Sequence, residues 1–157
     1  FGNAQYRRGL YTHWQRQFLH PALLAFDAPA REECTAERPR SNTPLAALVM
    51  LNDPSQVEAA RALAERTLRQ DSTGLKAQFN ALGKQVLSRP FNNREQMLLA
   101  KLLREHIEDF EAKPAEADKL ISTGIAPVPG DIPPVELAAW TSVARAVLNL
   151  HETITRN

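Results

Sequence analysis

The side chains in this sequence best equipped to bind a metal or attack a substrate are His13, His20, His106, His151 and Cys34. None of the histidines sits in an H-x-x-x-H or H-E-x-x-H frame, and there is no second cysteine to complete a ligand set, so no metal site is expected. Cys34 follows Glu32-Glu33, and adjacent carboxylates raise a thiol's pKa, which reads as an inert cysteine and not a nucleophile. The chain has no C-x-x-C-H for covalent haem, no glycine-rich phosphate loop and no G-x-S-x-G. Its residues form no catalytic constellation.

A denser polar group occupies the first third. Residues 1–50 hold six of the fourteen arginines and no lysine, with both tyrosines and Trp14. Arg7, Arg8, Trp14, Asp27, Arg31, Glu33, Glu37, Arg38, Arg40 and Asn42 are the candidate site residues. Arginine forms rigid bidentate bonds to carboxylates and backbone carbonyls, so two readings arise. One is a sugar-binding or hydrolytic cleft within residues 6–43, completed by sequence upstream, with polysaccharide as partner. The other is an internal ion-pair network pinning a long loop to neighbouring helices, and the mixture of both signs in one segment favours it. Acidic neighbours flank "RPRS", and the net charge is only +1, which argues against nucleic acid or an anionic membrane as partner.

The elements that position these residues are helical. Tyr6, Leu10, Trp14 and Phe18 recur every four residues, and His20–Pro44 then shows little period. Thr43-Pro44 and Asp53-Pro54 each pair an N-cap with a proline at the first helical position. The first opens "PLAALVMLN", apolar nearly all round and expected to be buried on most sides. The second opens a helix to about Arg69 with Val57, Ala60, Leu63, Ala64 and Leu68 inward, and with Glu58, Arg61, Glu65, Arg66 and Arg69 on the remaining surface. Leu75, Phe79, Leu82, Val86 and Leu87 stripe the next helix. Asn92 with Glu95 has capping-box spacing ahead of a helix to about Glu111. "PAEADKLIS" closes at Gly124, "IAPVPGDIPP" is a connector, and a last helix is expected from about Val135 to Thr153.

The expected fold is all-α: one compact multi-helix domain over residues 1–157, with a long, Arg/Asp/Glu-rich, non-periodic loop near the N-terminus. Its parts are an aromatic and arginine-rich helix and loop at 1–43, consecutive amphipathic helices at 44–124, the connector at 125–134 and a C-terminal helix at 135–157. A chain of this length buries roughly 68–70% of its unfolded surface. The composition, 43% hydrophobic and 24% charged, is ordinary for a globular protein, and no apolar run approaches the ~18 residues of a membrane span. The start at Phe1-Gly2, without methionine or signal peptide, reads as a fragment or processed product.

Two blocks carry a resemblance that frames nearly the whole chain: "YRRGLYTHWQRQ…LLAFDAPAREECTAERPRSNTPLAALVMLNDPSQVEAARALAER" and "ELAAWTSVARAVLNLHETITRN". They resemble the C-terminal domain of unknown function of large planctomycete cytochrome-c-associated proteins. The resemblance implies an extracytoplasmic protein whose upstream domains attach haem c and are partners of this portion, with no cofactor in the portion itself. It supplies no catalytic residues. The reading that follows is a non-catalytic helical scaffold or interaction module.

Overall fold

Proline opens five helices of the computed structural model, at Pro21, Pro44, Pro54, Pro114 and Pro134. At a first helical position its missing N–H leaves no bond unmade, and its fixed φ already suits the helix. The structure describes residues 20–29, 43–70 and 74–154, together with residues 6, 11 and 36. Among the described residues there are eight α-helices and no strand. The chain divides into two units, Phe1–Val49 and Met50–Asn157, with the boundary inside the second helix.

In the first unit, α1 (Pro21–Ala25) lies within the stretch that shows little sequence period. It ends in a Schellman arrangement, in which the Asp27 N–H donates to Leu24 O and the Ala28 N–H to Leu23 O. Asp27 supplies the left-handed residue, φ 54°, a conformation that aspartate tolerates better than most residues with a Cβ. The helix α2 (Pro44–Asn52) departs from expectation. Only Ala46 is buried, while Leu45 and Leu48 are 56% and 55% exposed. All-round apolarity says that a helix is able to be covered, not which of its faces is.

The second unit is built from α3 (Pro54–Leu68), α4 (Leu75–Leu87), α5 (Asn93–Ala112), α6 (Pro114–Ile121), α7 (Pro134–Leu148) and α8 (His151–Ile154). Helix α7 is central and packs against α3, α5 and α6. Its buried residues include Leu137, Ala138, Ala139, Trp140, Val143, Ala144 and Val147. The alanines let neighbouring backbones approach, while the larger side chains join Phe79, Leu82, Phe91, Leu103 and Ile121 in one core cluster. Phe79 and Trp140 meet with ring centroids 5.3 Å apart. Burial of each large apolar side chain stabilises the fold by roughly 1.5–3 kcal/mol. Two hydroxyls also enter the core, and each donates to the carbonyl one turn back: Thr67 to Leu63 O and Thr141 to Leu137 O.

One further difference is local. The expected last helix breaks at Asn149, whose N–H closes α7 onto Arg145 O and Val147 O, and α8 then starts at His151. On α5, Met97 and Leu98 point to solvent, and Leu103 is the buried residue.

Candidate functional site

The capping residues act locally. Thr43 Oγ1 accepts from the Ala46 N–H at 3.2 Å, and Asp53 Oδ1 accepts from the Ser55 N–H at 2.9 Å. Asn92 and Glu95 form both bonds of a capping box, 2.9 and 2.7 Å. Asp27 is half-buried at the end of α1. Arg7, Arg8, Trp14, Arg31, Glu33, Glu37, Arg38, Arg40 and Asn42 lie outside the described residues, as do His13 and Cys34. His20 and His151 are exposed, and His106 stacks on Phe110 at 6.0 Å. Among the described residues no three His, Cys, Asp or Glu side chains converge as metal ligands would.

The structure buries two charges that the helical pattern of α3 assigns to the surface. Glu58 and Arg61 are only 5% and 2% exposed. The Glu58 carboxylate accepts from the Ile125 and Ala126 N–H groups at 2.8 and 2.9 Å. Arg61 donates to Ile121 O and, at 2.8 Å, to Ala126 O. Its Nε sits 3.5 Å from the Glu65 carboxylate, an ion-pair distance without hydrogen-bond alignment. Gly124 makes the approach possible: its φ is 106°, and a Cβ there would fall inside van der Waals contact of the Glu58 carboxylate. Further along the connector, Asp131 takes two bonds from Arg69, 3.2 and 2.9 Å. The connector between α6 and α7 is thus fastened along α3.

Arg145 on α7 is a third partly buried charge. It donates to Leu51 O, and burial pushes its guanidinium below the ordinary value. Arg89 is the hub of an exposed cluster, with Glu95 at 2.9 and 3.0 Å and Glu152 at 2.6 and 2.7 Å. Hydrogen bonds from Arg89 lower the pKa of both carboxylates, and theirs raise that of Arg89.

A cavity of about 540 Å³ opens where α4, α5 and α7 meet. Its apolar lining comes from Leu75, Ala100, Leu103, Ile107, Val135 and Trp140, of which Leu103 and Trp140 are buried. Positions 100, 103, 104, 107 and 111 share one face of α5 because they follow the helical repeat. Polar groups reach the same opening: half-buried Gln78, and the exposed charges Arg104, Glu111 and Glu136. None of these three charges forms an ion pair among the described residues. A broader opening of about 890 Å³ is lined by Arg66, Gln85, His151 and Glu152.

Sequence reasoning missed both the buried pair and the cavity. For the pair, a signal was present in Glu58 and Arg61, which stand three residues apart beside the apolar stripe, with Gly124 in a connector able to meet them. For the cavity there was none, since three helices far apart in sequence assemble it.

No curated protein and no solved structure matches the chain. Residues 1–103 match the family described as PSD1, protein of unknown function (DUF1553). The match reaches from the first residue into the middle of α5 and covers well over half of the sequence. The chain belongs to this PSD1 (DUF1553) family of proteins of unknown function.

Proposed function

We propose that this chain is a non-catalytic helical scaffold or interaction module within a larger extracytoplasmic, cytochrome-c-associated protein, packing against haem-bearing domains upstream. The observation that carries the reading is how the second unit uses its buried charges. Glu58 is engaged by two backbone N–H groups, Arg61 by two backbone carbonyls and Arg145 by one. A catalytic acid or base must instead face its substrate with a free valence. These groups brace backbone, as a scaffold requires. The association with cytochrome c rests on the two resembling blocks.

The parent protein provides the test. Mass spectrometry of the native polypeptide containing these residues, with haem staining of the same band, should find a longer chain carrying covalent haem outside residues 1–157. The purified 157-residue chain should show no Soret band and should hydrolyse no glycan on an array. A native polypeptide without haem, or turnover by the isolated chain, would overturn the reading.

A further inference from the structure

The cavity over Trp140 combines walls that include core side chains with charges at its mouth that form no ion pair among the described residues. Its volume, about 540 Å³, lies within the range of small-molecule sites, which pair an apolar lining with a few polar groups that set orientation. The interior offers Leu103, Ile107 and the indole of Trp140. At the mouth stand two carboxylates, Glu111 and Glu136, against one guanidinium, Arg104. Among the described residues the three pair neither with one another nor with any other charge. Arg104 and Glu111 are seven residues apart on one face of α5, about 10.5 Å along its axis. Arg104 and Glu111 therefore stand apart along α5, and with Glu136 the balance of the three charges is negative.

We infer that this cavity is a binding site for a small apolar amine, its hydrocarbon or aromatic body against Trp140 and its ammonium at Glu111 and Glu136. An apolar body gains by leaving water for such a lining, and the ammonium keeps both solvent and carboxylate contacts because those two residues are exposed. A carboxylate-bearing analogue would meet two like charges and one opposite charge. The inference is independent of any neighbouring haem domain and goes beyond the scaffold reading.

Calorimetric titration of the full chain with phenethylamine, 2-phenylethanol and phenylacetate at neutral pH tests it, with the Trp140 indole N–H resonance followed in parallel. The amine should bind best, the alcohol less well and the acid least, and the preference for the amine should shrink as salt is added. In a Glu111→Gln/Glu136→Gln variant the amine should lose roughly two- to thirtyfold in affinity, the range for two exposed charges, while the alcohol is unchanged. Both residues are exposed, so this variant keeps the fold, and circular dichroism checks it. Ala100→Leu, which fills part of the cavity, should abolish binding of all three probes. Tighter binding of phenylacetate, amine affinity indifferent to the two substitutions, binding that survives Ala100→Leu, or no binding by any probe would each overturn the inference.

Discussion

Glu58 and Gly124 form the most consequential pairing at the level of single residues. Truncation of Glu58 to alanine strands two backbone N–H groups and removes a charge-assisted acceptor from a buried place. Glu58→Ala should therefore cost about 3–5 kcal/mol in urea denaturation, well above an exposed substitution. Gly124 answers a separate question. Gly74 and Gly124 both have positive φ, 101° and 106°, yet a Cβ at Gly74 meets nothing within 4 Å. Gly74→Ala isolates a dihedral penalty, at φ 101° and ψ 150° on the order of 1–3 kcal/mol. Gly124→Ala adds a collision with the Glu58 carboxylate and should exceed it by ~1–3 kcal/mol. Equal costs for the two glycine variants would show that Glu58 yields freely, and that the clamp is not rigid.

Helix junctions depend on charge in a way that acid will reveal. Arg89 joins the start of α5, through Glu95, to α8, through Glu152. Both carboxylates are more acidic in the folded chain than their ordinary value of 4.5. Their contribution is thus fully present above that value, and it is lost as pH falls through the lowered folded values. Melting temperature should drop over that acid window, and Arg89→Met should flatten the drop. An unchanged acid slope in Arg89→Met would mean that other groups govern it. The helix starts were legible in the sequence because the rules for caps and prolines act within three residues, as at Asp53-Pro54 and Asn92–Glu95. Burial of Glu58 and Arg61 was not legible, since their partners are backbone groups some sixty residues away. The exposure of Leu45 and Leu48 was hidden for a related reason: composition says nothing about which neighbour covers a face. The Trp140 cavity depends on α4, α5 and α7 meeting, and no local pattern encodes that.

For the whole molecule, the core does not respect the limits of the family match. Residues 1–103 end within α5, whereas α7 supplies the centre of the second unit. A chain cut after Leu103 would leave Ala64, Phe79 and Leu82 without Leu137, Trp140 and Val143. It should fail to unfold cooperatively, read as a sloping thermal melt and collapsed amide dispersion in NMR spectra. A sharp transition in that fragment would place the stability elsewhere. The fastening of the connector along α3 bears also on the order of events in folding. Its bonds join residues 60 to 68 positions apart, so loop-closure entropy opposes their early formation, and the expectation is that they form after the rate-limiting barrier. Glu58→Gln should raise the unfolding limb of a chevron at unchanged slope while the refolding limb stays in place. The connector should then act as a kinetic latch, one that leaves the speed of assembly alone and lengthens the lifetime of the assembled state.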